Sequence, residues 1–144
     1  MLTTPSPLAN VGSDDAIAFA KGTMGGQPMF ALGYGSYENG VPIDGRGRSA
    51  QITPTYDSAL FEYRYTISKA SDPQMCAGDS GGPIKRVDSH WKIYGILSKR
   101  SGGNPGDACR PTGHWAPTSE NWPWLEAAIG YVNCTSWFDR LACW

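Results

Sequence analysis

Short runs in which apolar and polar residues alternate, separated by Gly, Pro, Asn and Asp, dominate the middle of this chain. That period of two is the mark of half-buried β-strands. MFALGYG from Met29, SAQIT from Ser49 and ALFEYRYTI from Ala59 read as strands, the last with Leu60 or Phe61, Tyr63, Tyr65 and Ile67 on one face. Between the first two, SYENGVPIDGRGR carries Asn39-Gly40 and Asp44-Gly45, dipeptides suited to tight turns, and reads as an exposed loop. GGPIKRV and WKIYGILS, with Asp88-Ser89 between them, read as a hairpin, and HWAPT around Trp115 as a further strand. The period changes only near the end. In SENWPWLEAAI, residues Trp124, Leu125, Ala128 and Ile129 recur at helical spacing, with Ser119 as cap, Pro123 near the start and Gly130 as the stop. Residues 1–27 lack periodicity apart from AIAFA at 16–20 and read as a connector; 28–130 form the body and 131–144 a tail.

Composition sharpens this picture. A chain of 144 residues is one domain that buries about 70% of its unfolded surface. Its 18 Gly and 11 Pro favour turns and short strands, hence an all-β fold. Charged residues make up 17% with a net charge of −1 and no basic run, which excludes a nucleic-acid backbone as the expected partner. No apolar stretch approaches the roughly 20 residues that span a bilayer, so no membrane anchor is expected. Cys76, Cys109, Cys134 and Cys143 make no C-x-x-C pair, which argues for two disulfides over a metal site and for an oxidising compartment. MLTTPSPLANVGSDD has no basic start and apolar run of a signal peptide, so either the chain is a piece of a longer exported one or the disulfide reading is wrong.

The chemistry concentrates in CAGDSGGPI, residues 76–84. A serine hydroxyl becomes a nucleophile only when a base takes its proton and donors stabilise the oxyanion. Glycines around Ser80 let the backbone turn sharply, so that the amides of Gly78 and Ser80 converge on one carbonyl oxygen, with Asp79 as an anchor. The plain alternative is a turn between two strands. CAGDSGGP resembles the active-serine motif of the trypsin/chymotrypsin family of serine peptidases, and the resemblance continues in order through LGYG, YGILSKR, Cys109, GHWAP and Trp124-Leu125, over about residues 28–130.

That resemblance implies a six-stranded antiparallel Greek-key β-barrel, the second of the family's two, with a C-terminal helix. It implies Ser80 as nucleophile, Gly78 in the oxyanion hole, a Cys76–Cys109 disulfide, Ser98, Lys99 and Arg100 on the substrate-pairing strand, and Gly113 on the pocket wall. The catalytic histidine and aspartate of the family belong to the first barrel and are expected upstream of Met1. His90 lies in the Asp88-Ser89 turn, and His114 in the pocket-wall strand suits a packing or pocket role. Asp79 in the family is neutralised by a new amino terminus; Arg46, Arg48 or Lys85 are the substitutes to consider here. The pocket floor falls on Gln74, which carries no charge to balance Arg or Lys, with Asp72 two residues off. Lys99 and Arg100 replace small residues on the substrate strand. Cys134 and Cys143 are close enough to close a small loop of their own, and Asn133-Cys134-Thr135 is formally a glycosylation sequon. No cofactor or metal is implied. The reading is therefore the serine-bearing half of a secreted serine endopeptidase acting on protein or peptide substrates, inactive without the missing N-terminal barrel. The rival is a non-catalytic homologue that binds proteins or peptides.

Overall fold

The structure is a computed structural model that describes residues 18–39, 41–86 and 92–133, with side chains described for 19–39, 41–86 and 92–127. His90, the Asp88-Ser89 turn, Cys134, Cys143, the sequon at Asn133 and most of the tail lie outside the described residues. Among the described residues there are ten strands and one helix: β1 (Ala18–Phe19), β2 (Met29–Gly33), β3 (Arg48–Ile52), β4 (Thr55–Asp57), β5 (Glu62–Thr66), β6 (Met75–Cys76), β7 (Pro83–Arg86), β8 (Lys92–Ser101), β9 (Cys109–Arg110), β10 (Thr112–Pro117) and α1 (Trp122–Asn133). That helix is too short to cross a membrane.

The main sheet runs β3-β2-β7-β8-β10-β5-β4 through antiparallel neighbours, and β1 adds to β8 in parallel. Its two edge strands, β3 and β4, are consecutive in the chain and separated only by Thr53-Pro54. One bent segment therefore pairs with β2 through its first half and with β5 through its second. Counted this way, six strands curl into a barrel, a shape that leaves few exposed edges. The all-β, antiparallel fold expected from the sequence is the observed one. A separate two-stranded ladder pairs β6 with β9, opposing Cys76 to Cys109 and Met75 to Arg110.

The core gathers the inward positions of these strands: Met29, Ala31, Ile52, Tyr63, Ile84, Tyr94, Leu97 and Trp115, all buried. Tyr63 packs a tilted ring on Tyr56, centroids 5.3 Å apart, and its hydroxyl accepts the Met24 amide at 2.9 Å. Ala20 is also buried, and the Thr118 hydroxyl donates to its carbonyl at 2.9 Å. Residues 18–26 thus already belong to the body that the sequence pattern opens at Pro28, because a short parallel pairing with β8 is too brief to show a period.

Two local expectations are corrected. β5 begins at Glu62, and Leu60 and Phe61 are exposed instead of facing inward with Tyr63. The Asp57 carboxylate accepts the amides of Ala59 and Leu60, turning the chain there, and Phe61 leaves the turn at φ 49°. The helix starts at Trp122, with the Asn121 carbonyl accepting the first helical amide, from Leu125, at 2.9 Å. Ser119 is not its cap, since its buried hydroxyl has no partner among the described residues, and Gly130 does not stop it.

Candidate active site

Ser80 stands exposed in the link from β6 to β7. Short backbone bonds fix this link on both sides: Ala77 donates to Ala108 at 2.7 Å, Gly81 to Leu97 at 2.9 Å, and Leu97 to Gly82 at 2.8 Å. Gly78 takes φ 93°, a conformation that side chains other than hydrogen resist, and an added Cβ would press on Ile43 and the Gly35 backbone. Among the described residues the amides of Gly78 and Ser80 donate to no acceptor. They are the two donors that the sequence assigned to an oxyanion.

Backbone amides hold the Asp79 carboxylate. Its Oδ1 accepts the Gly35 amide and its Oδ2 the Cys76 amide, each at 2.8 Å. No base role is open to a carboxylate seated this way. Of the cations weighed from sequence, Arg48 acts on Asp79 only through its charge, because its guanidinium forks onto Asp44 at 2.9 and 2.6 Å. That fork pulls the exposed Asp44 carboxyl down to about 2. Among the described residues Arg46 reaches only Asp44, at 3.9 Å. Gly33 permits the seat, since a Cβ there would overlap Asp79 Oδ1. Asp79→Ala leaves two part-buried amides without acceptors and is expected to cost about 2 kcal/mol. Asp79→Asn, which keeps one acceptor oxygen, should cost less; equal losses in urea denaturation would show that the amide seat is not what matters.

Cys76 and Cys109 are joined by the disulfide that the resemblance implied. The residues expected around the substrate pocket lie apart. Gln74 borders a cavity of about 510 Å³ with Tyr37, Glu38, Asn39 and Asp72, and a smaller one of about 80 Å³ with Asp79, Leu97 and Trp115. Neither is bordered by Ser98, Lys99, Arg100 or Gly113. Beside Gly113 the space is filled by the protein itself: an added Cβ would lie 2.5 Å from Met75 Cγ and 2.6 Å from the Trp115 ring. Arg100 donates to the Ala108 carbonyl and Lys99 pairs with Glu62 at 3.3 Å. Asp72 spends one oxygen on Ser68 and Lys69, whose amides and hydroxyl hold its carboxyl below the ordinary range. Beyond Leu97, whose other edge bonds Gly81 and Gly82, β8 pairs with β10 alone among the described residues, so its other edge is open along Ser98 to Arg100.

His114 does not serve Ser80. Its Nε2 lies 2.7 Å from Ser101 Oγ and its Nδ1 2.7 Å from Glu62 Oε1. Thr112 and His114 alternate on β10 with Gly113 and Trp115, and His114 faces Lys99 on β8 and Arg64 on β5. The ring and Glu62 are both buried, each about 8% exposed. Burial works to raise the Glu62 pKa, but the His114 hydrogen bond, with His114 and Lys99 charge, outweighs it and holds the carboxyl below its ordinary 4.5. A carboxylate only accepts, so Nδ1 carries a proton toward Glu62, and in the neutral ring Nε2 accepts from the Ser101 hydroxyl. Sequence reasoning placed His114 in a packing or pocket role and missed both partners. The only signal was their outward register on neighbouring strands.

A carboxyl with a depressed folded pKa adds stability above its unfolded pKa and loses it as pH falls through the folded value. Glu62→Gln should therefore cost most above about pH 5, with the gap to the parent protein closing in more acid solution. Thermal unfolding at a series of pH values checks this; a gap that widens toward acid would reverse the assigned sign.

No protein-family model matches the chain. Among solved structures, a mutant of human heparin binding protein (CAP37) superposes with a TM-score of 0.63 at 15% identity, covering 83% of this chain and 51% of that one. A scabies mite inactivated protease paralogue superposes with a TM-score of 0.54 at 17% identity, covering 80% of this chain and 52% of its own. This chain spans about half the length of either. Barrel, helix and neighbours together give this protein one half of the trypsin-like serine protease fold.

Proposed function

We propose that this chain is the serine-bearing half of a secreted, trypsin-like serine endopeptidase. The observation that carries the reading is the framing of Ser80: an exposed hydroxyl beside two amides without acceptors, held by the Asp79 seat. In the working enzyme Ser80 attacks the scissile carbonyl, a histidine from a companion barrel moves the proton, and the Gly78 and Ser80 amides hold the oxyanion. The open edge of β8 along Ser98 to Arg100 pairs with substrate backbone.

Joined to a barrel that supplies histidine and aspartate, the chain should cleave a mixed peptide library without preference for Arg or Lys, since Gln74 carries no charge, and Ser80→Ala should abolish cleavage. Strong cleavage after basic residues would mean that Asp72 or Glu38 reaches the bound side chain. A second reading, a peptide-binding module without catalysis, is favoured by one observation: Met75 and Trp115 occupy the space beside Gly113. Binding of library peptides with no cleavage in the joined form would establish that reading instead.

A further inference from the structure

We propose that Ser101, His114 and Glu62 form a second nucleophilic site, independent of Ser80, that transfers acyl groups from small carboxylic esters. The three side chains stand in the order such chemistry requires, hydroxyl to imidazole at 2.7 Å and imidazole to carboxylate at 2.7 Å. They come from three adjacent strands, β8, β10 and β5, whose ladders fix their spacing more firmly than loops would.

Burial is divided as a reactive site would divide it. His114 and Glu62 are buried, which shields the relay from water, while Ser101 is exposed to an incoming ester. Lys99 at 3.3 Å and Arg64 at 3.7 Å flank the Glu62 carboxylate, so it stays an acceptor for the Nδ1 proton. The chain leaves β8 directly after Ser101 through Gly102 at φ 77° and Gly103 at φ 66°. Their amides lie beyond the strand ladder and donate to no acceptor among the described residues. They are the donors nearest in sequence to an oxyanion forming at Ser101. Ser101 is exposed and borders neither cavity around Gln74, so an ester would reach it from solvent and would need a good leaving alcohol.

The step balances without any added reagent. Ser101 Oγ bonds to the ester carbonyl carbon as its proton passes to His114 Nε2. The bond from that carbon to the alcohol oxygen then breaks, and the alcohol leaves with the proton. Water repeats the sequence on the acyl-serine and releases the carboxylic acid. Glu62 touches no reacting atom; it positions the ring and stabilises the imidazolium.

The test is p-nitrophenyl acetate added to the full chain, with release of nitrophenolate followed and the acetylated residue located by peptide mapping. Acetyl on Ser101, absent in Ser101→Ala, is the expected result. Glu62→Gln, its fold checked by circular dichroism, should lower kcat by about 10²- to 10⁴-fold with little change in KM. Acetyl found only on Ser80 or on lysines, no acetyl on Ser101, or a Glu62→Gln rate equal to the parent's would each overturn the proposal. Mapping on the unsubstituted protein decides the matter even if a variant fails to fold. It also separates this site from the reading of Ser80.

Discussion

Trp115→Ala is expected to lower the unfolding free energy by about 3–5 kcal/mol, among the largest effects of any single truncation in this protein. The ring is 1% exposed and is the largest of the fully buried side chains. It sits on β10 between β8 and β5 and fills the space beside Gly113 together with Met75. Its removal leaves a void next to the cavity of about 80 Å³ that already reaches Asp79. The loss should therefore loosen the Ser80 link as well as the core. Trp124 supplies the control, because its ring is 61% exposed and Trp124→Ala should change stability by less than about 0.5 kcal/mol. Comparable losses in the two variants, measured by urea denaturation, would contradict this placement of the core.

Cys76→Ala combined with Cys109→Ala is expected to cost about 3–4 kcal/mol, as the chain-entropy relation gives for cysteines 33 residues apart. The bond also holds together a ladder of two residues per strand, too short to persist unaided. The Cys76 amide donates to Asp79, and the Cys109 amide donates to the Asn39 side-chain oxygen at 2.8 Å. Loss of the bond thus reaches the Ser80 link and the loop after β2 together. A cost below about 1 kcal/mol would mean that the backbone alone fixes this wall.

How much of this was readable from the residues depends on whether the signal was local. Met29 to Gly33 and Arg48 to Ile52 announce themselves by alternation, and both are strands. β6 and β9 did not, because two residues carry no period and their pairing depends on a contact across 33 residues. Leu60 and Phe61 misled for a related reason: their apolar character extends the β5 pattern, while Asp57 turns the chain before it. At the site, the glycines and the serine were legible as a motif. The amide seat of Asp79 was not, since Gly35 lies 44 residues away. The close packing of Met75 and Trp115 on Gly113, and the engagement of His114 by Ser101 and Glu62, are contacts that no motif encodes.

On the proposed reading, the described residues frame Ser80 without supplying its base. His114, the histidine among the described residues, has both ring nitrogens occupied by other partners. The most direct measurement is site-resolved labelling of the full chain with a fluorophosphonate, which reacts with a serine only when its hydroxyl is activated. Ser80 should remain unlabelled in this chain alone and become labelled once joined to a histidine-bearing companion barrel. Stoichiometric labelling of Ser80 in the chain alone, abolished by His114→Ala or His90→Ala, would contradict the account.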